Sequence, residues 1–182
     1  MTATIHVFTF KAGLLARLAH DLHLTAHKHE LTVEAQRIRA YCATDSLRVD
    51  GVMGAHGLDP SGLSDKDKRQ ILETVQEEIL ESRRYPRIEF EGEVQKRSAT
   101  QLAVRGNLRL KNQIRPIVTD LMHSGDRIQA TFELKPSEFG IAPYKALGGA
   151  IRLDDRVRVS IAVALQGQDP LELLTRSEPL QL

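Results

Sequence analysis

Histidines are where this sequence concentrates chemistry: of its seven, His20, His23, His27 and His29 fall within ten positions. On an extended strand residues two apart share a face, so His27 and His29 would present two imidazoles to one ion, with His23 in phase if the strand stays regular. Asp21 would be a further ligand or a partner that orients one of the rings. Neutral imidazole suits Zn, Cu or Ni, and three such ligands with an open position can activate water. The spacing matches no established metal signature, however, and His27-Lys28-His29-Glu30 reads equally well as a solvated hairpin tip. A metal-dependent enzyme or metal carrier built on this cluster is the alternative reading.

Other reactive residue types stand alone. Cys42 is the single cysteine; it excludes an intramolecular disulfide and reads as a small, half-buried thiol with no identified base. Asp154 and Asp155 read as solvated carboxylates at the start of a strand, and Gly148-Gly149 as a turn. Arg115, beside Pro116, and the group Arg83, Arg84 and Arg87 offer guanidinium forks to a phosphate headgroup, or are simply solvated. There is no nucleophile elbow, phosphate-binding glycine loop or dinucleotide fingerprint. No catalytic residues, no enzyme and no firm cofactor are expected.

Composition narrows the class further. The 182 residues fit one well-packed domain, expected over 1–166, followed by a tail over 167–182 favoured as a loose extension. Lys plus Arg total 25 against 24 Asp plus Glu, so no overall field draws the protein to nucleic acid or an anionic membrane. No apolar run is long enough to span a bilayer and the amino terminus lacks a secretory core, so a cytoplasmic protein is expected. A homo-oligomer is left open.

Strand-period alternation must position whatever site exists, and it is clearest in four segments. Ile88, Phe90 and Val94 share one face; Leu102, Val104, Leu108 and Leu110 share another, with Gly106 at a bend. Ile128, Ala130, Phe132 and Leu134 follow the Ser124-Gly125-Asp126 turn, and Val157, Val159, Ile161, Val163 and Leu165 close the series. Weaker strands are expected at Ile5–Phe10, Leu22–Ala26, Leu31–Ile38, Leu47–Val52 and Ile117–Met122, with a bulge where the apolar phase slips between Ala35 and Ile38. One stretch keeps helical spacing: Ile71, Leu72, Val75, Ile79 and Leu80 predict an amphipathic helix over Ser64–Ser82, capped by Ser64 with Asp67 and stopped by Tyr85-Pro86. The fold class is all-β: an antiparallel barrel with one flanking α-helix.

Three words in these elements carry a resemblance. They are Arg84-Tyr85-Pro86-Arg87-Ile88-Glu89-Phe90, Gly106-Asn107-Leu108-Arg109-Leu110-Lys111-Asn112-Gln113-Ile114-Arg115-Pro116-Ile117, and Ser137-Glu138-Phe139-Gly140-Ile141. In order and spacing the chain resembles the YceI-like, lipocalin-like family over roughly Ile5 to Leu165. There a helix leads into a Lys-Tyr-Pro strand, a Gly-x-Leu-x-x-x-Gly-x-Thr-Arg-Pro-Val segment follows, and a Ser-Asp-Phe-Gly-Ile loop precedes the last strand. The resemblance implies an eight-stranded barrel around a long apolar tunnel that takes polyisoprenoid chains, and implies no catalytic residues. Relatives are commonly exported, and the first third of this chain matches the pattern only loosely.

An eight-stranded barrel is just wide enough to be filled by its own side chains or to hold one small guest. Inward Ile, Val, Leu and Phe leave both readings open and make any guest apolar, an isoprenoid or fatty-acid-like molecule. The wall is expected from Phe10, Ile88, Phe90, Leu102, Val104, Leu110, Ile128, Phe132, Val159 and Ile161, with Phe139 to Tyr144 at the opening and Arg115 as headgroup contact.

Overall fold

Alternating apolar residues pair into one antiparallel sheet, and the computed structural model describes residues 3–12, 21–98, 101–124, 126–146, 151–165 and 180–181. Before the helix come β1 (Ala3–Ala12), β2 (Leu22–Ala26), β3 (His29–Glu34), β4 (Arg37–Ala43), β5 (Leu47–Gly54) and β6 (Gly57–Asp59). After α1 (Asp65–Thr74) come β7 (Arg87–Lys96), β8 (Leu102–Leu110), β9 (Gln113–Ser124), β10 (Arg127–Leu134), β11 (Lys145–Ala146), β12 (Ile151–Ala164) and β13 (Leu180–Gln181).

The ring closes through a bent hairpin. Going round, β7 pairs with β8, β8 with β9, β9 with β10, β10 with β12, β12 with β1, and β1 with β2. The chain passes from β2 into β3 and returns through β4 into β5, so β3–β4 and β2–β5 are two lengths of one hairpin, while β4 pairs back onto β7. At the corner the His27 amide donates to the Ser46 carbonyl at 3.1 Å and the Ala43 amide to the Lys28 carbonyl at 2.9 Å, bridging the gap between the two ladders. Thr44 and Ser46 there are fully buried, and both hydroxyls are satisfied: Thr44 Oγ1 donates to the Tyr85 carbonyl at 2.9 Å and Ser46 Oγ to the Ala43 carbonyl at 2.7 Å. A buried hydroxyl without such a partner would cost about 1–3 kcal/mol.

One expected feature changes character. The phase slip after Ala35 is a two-residue hairpin turn, not a bulge: Glu34 pairs with Arg37, and Ala35 takes a φ of 55° between them. The single expected strand over Leu31–Ile38 is therefore two strands, β3 and β4. Alanine carries no turn signature, so the sequence disguised the reversal.

The helix starts where its cap places it. Ser64 Oγ accepts from the Asp67 amide at 3.2 Å while the Asp67 carboxylate accepts from the Ser64 amide at 3.3 Å. After Thr74 the helix widens into a π-turn over Val75–Ile79, with the Leu80 amide donating to the Val75 carbonyl at 2.9 Å. Glu81, at a φ of 50°, ends it and holds Lys111 of the β8–β9 turn in an ion pair. Leu80 then packs with Leu108, Leu110, Ile117, Phe139 and Ile141, fixing the helix over one end of the barrel. At the other end Val33, Val94 and Val104 form one cluster and Ile128 with Leu165 another.

Of the expected tail, residues 167–179 and 182 lie outside the described ones; Leu180 and Gln181 pair with Val33 and Thr32 on β3. Among the described residues no helix is long and apolar enough to cross a membrane.

Candidate functional site

The inward faces of these strands do not meet one another. They surround a cavity of about 900 Å³, near the top of the range of about 300–1,000 Å³ for sites that hold small molecules. β1 contributes Ile5, Val7 and Thr9, β2 Leu22 and Leu24, β7 Ile88 and Phe90, and β8 Val104, Leu108 and Leu110. From the far side come Ile117 and Leu121 of β9, Ile128, Ala130, Phe132 and Leu134 of β10, and Val157, Val159, Ile161 and Val163 of β12. Ile71, Val75 and Ile79 of the helical segment roof it.

The two ends differ in chemistry. Where β10 begins and β12 finishes, the wall is Leu31, Val33, Ile38, Val104, Leu121, Ile128 and Val163, aliphatic but for Thr119, whose hydroxyl donates to the Thr131 carbonyl at 2.8 Å. Under the helix it also includes Thr9, Asp67, Gln70, Glu89, Tyr144 and Asp154. Thr9 Oγ1 is buried and has no hydrogen-bond partner. A hydroxyl so placed costs free energy unless a molecule in the cavity meets it. Cys42 also lines the cavity, and burial pushes its thiol pKa up.

Of the residues expected on the wall, Ile88, Phe90, Val104, Leu110, Ile128, Phe132, Tyr144, Val159 and Ile161 line the cavity. Three others sit elsewhere. Phe10 is on the outer face, with the guanidinium carbons of Arg156 and Arg158 at 4.3 Å and 5.4 Å from its ring centre. The sequence offers two apolar faces on β1, and the structure turns Ile5 and Val7 inward, leaving Phe8 and Phe10 outside. Leu102 packs against the Val33, Val94 and Val104 cluster, and Phe139, only 1% exposed, fills the closed core beside Leu108. Arg115 does not reach the cavity; its Nη1 donates to the Ile114 carbonyl at 2.8 Å. Arg87 lies over the Tyr41 ring at 5.0 Å, and Arg84 over Tyr85 at 5.1 Å.

Phe90 owes its place to a glycine pair. Gly92 and Gly106 face each other across β7 and β8, and a Cβ on either would come within 2.7 Å or 2.5 Å of Phe90 Cζ. The ring lies over the bare backbone, so Gly106 provides room rather than a bend.

The histidine cluster is not assembled among the described residues. His20 lies outside them. His23 is on the outer face of β2 against Asp50, and His29 sets Nδ1 at 3.2 Å from the Ala26 carbonyl and Nε2 at 3.1 Å from the Ala3 carbonyl. The corner between β2 and β3 breaks the alternation that would have aligned His23, His27 and His29. Asp21 instead accepts from the Lys11 amide at 2.7 Å.

Comparison with known proteins bears on this architecture. A model of the YceI-like domain matches residues 18–165. The chain belongs to the YceI-like family. Its fold is similar to the crystal structure of BcnA from Burkholderia cenocepacia, at a TM-score of 0.61 and 11% identity over 88% of this chain and 94% of that one. The YCEI protein of Campylobacter jejuni matches at a TM-score of 0.54 and 13% identity, covering 77% of this chain and 81% of that one. At such identities the likeness is one of fold. No curated protein matches the sequence. YceI-like membership and the barrel fit a binding protein, in a family that is generally not catalytic.

Proposed function

We propose that this YceI-like protein binds, without chemically altering, one long apolar molecule of isoprenoid or comparable lipid-like type inside its barrel. The observation that carries the reading is the cavity of about 900 Å³ with an almost wholly aliphatic and aromatic wall. Each buried methylene of a guest contributes about 0.8 kcal/mol. Fifteen carbons would then supply about 12 kcal/mol, comparable with the association cost of about 4–15 kcal/mol, without one specific hydrogen bond.

The asymmetry of the wall supports an orientation: the apolar tail towards Val33, Ile128 and Val163, and a polar head under the helix beside Thr9, Tyr144 and Asp154. Thr9 Oγ1 would find its partner there. Arg115 has no part in this arrangement.

Native mass spectrometry of protein purified gently from its own host, followed by solvent extraction, tests the reading. A single apolar adduct, or stoichiometric uptake of an added polyprenol, is expected. Protein that is consistently guest-free and takes up neither polyprenols nor fatty acids would refute it.

A further inference from the structure

The outer wall of the barrel carries a second cluster, on the opposite side of β1, β2 and β5 from the cavity. His6 and His23 lie with ring centres 4.8 Å apart, and His23 Nδ1 is 2.7 Å from Asp50 Oδ2. One donor atom from each of His6, His23 and Asp50 lies within 4.8 Å of the other two. The three come from three adjacent strands.

The ladder between β2 and β5 is interrupted at Asp50. His23 pairs with Gly51 but Leu24 with Val49, leaving Asp50 as the extra residue of a β-bulge. Continuing the register from Leu47 opposite Ala26 and Val49 opposite Leu24, Asp50 falls on the outward face beside His23, and the bulge sets Gly51 as the second residue opposite that histidine. Gly51 permits this, because a Cβ there would meet the Asp59 carbonyl oxygen at 2.3 Å.

Neighbours hold the rings in place. Thr25 Oγ1 donates to Asp50 Oδ2 at 2.6 Å, which uses its only proton, so the 3.1 Å contact with His6 Nδ1 has the imidazole as donor. His23 Nδ1 is likewise engaged by Asp50. Among the described residues neither ring's Nε2 has a hydrogen-bond partner. Phe8 stacks edge-on against His23 at 4.9 Å and walls one side. An ion that displaces the Nδ1 proton of His23 would take that nitrogen and Asp50 Oδ2 as neighbouring ligands, leaving the ring's proton on Nε2.

We propose that His6, His23 and Asp50 bind a divalent transition-metal ion of the zinc class on the outer wall of the barrel. Two imidazoles and one carboxylate suit Zn, Co, Ni or Cu ahead of the hard ions Ca and Mg. Tetrahedral zinc with bonds of about 2.0–2.1 Å separates its ligand atoms by about 3.3 Å, so the 2.7 Å contact widens and the 4.8 Å limit closes by side-chain rotation. Three protein ligands leave a further position for water. The ion would fasten β1 to β2 and β5, and the site stands whether or not the cavity takes an apolar guest.

Titration of the full chain with zinc sulfate and with cobalt chloride tests it, read by calorimetry and by the visible bands of bound cobalt. One saturable equivalent is expected, with imidazole NMR signals of His6 and His23 shifting together. His6→Gln and Asp50→Asn should each weaken binding by roughly tenfold or more, while His27→Gln leaves it unchanged. Absence of saturable binding to the wild-type chain would overturn the proposal, as would unchanged binding in both variants, or NMR shifts confined to His27, His56 or His123. The NMR readout needs no variant, so a misfolded His6→Gln does not protect the idea.

Discussion

Ala130→Phe separates an open barrel from a filled one. Ala130 sits mid-strand on β10, paired with Ile161 and Leu121, and all three line the cavity. The substitution projects about six further carbons into the space a guest would occupy. If each excluded methylene forfeits about 0.8 kcal/mol, the loss is about 5 kcal/mol, an affinity drop on the order of a thousandfold. In a packed core the same change would instead cost about 1–3 kcal/mol of stability through overpacking, or a melting temperature lower by about 2–4 °C for each kcal/mol. The assay pairs thermal unfolding with displacement of a fluorescent fatty-acid probe. An unchanged or raised melting temperature together with lost binding is expected; a clear fall in melting temperature with probe affinity intact would refute the argument.

Further outcomes follow from single contacts. Gly106→Ala sets a Cβ 2.4 Å from the Glu91 carbonyl oxygen and 2.5 Å from Phe90 Cζ; a loss of at least about 2 kcal/mol in urea unfolding is expected, and wild-type stability would contradict the glycine-pair account. Cys42, with its thiol pKa raised by burial, holds little thiolate at neutral pH; maleimide labelling followed by mass spectrometry should be slower than for glutathione and slower again once a lipid is bound. The Ser137 hydroxyl and amide both donate to Asp155, the amide at 2.9 Å, and hold its carboxyl below the usual range. Because the folded pKa is the lower one, this contribution is present above about 3.9 and is lost as pH falls through the folded value. Asp155→Asn should therefore flatten the acid limb of a melting-temperature profile, and a superimposable limb would count against that role.

Much of the barrel was legible because β7, β8, β10 and β12 each put their large apolar residues on one face only. The helix was equally plain, since Ser64 and Asp67 cap it where its apolar stripe begins. β1 was not: Ile5, Val7, Phe8 and Phe10 supply apolar residues to both faces, and only pairing with β2 and β12 decides between them. The turn at Ala35 lacks glycine or asparagine, and the bulge at Asp50 depends on how β5 registers against β2. The histidines illustrate the same limit. Of four close in sequence, the described His23, His27 and His29 are separated by a corner, while His6 and Asp50, distant along the chain, are gathered beside His23.

The pairing of β1 with β12, from Ala3 opposite Val163 to Ala12 opposite Arg152, has a bearing on how the molecule forms. β1 gains one of its two neighbours only once β12, far later in the chain, has been synthesised, and so many of its contacts are non-local. Until then the outer edge of β1, with Ile5 and Val7 on one side and Phe8 and Phe10 on the other, is an unprotected template for a foreign strand. Chaperone capture of nascent chains, rather than any property of the finished fold, is where that exposure would be felt.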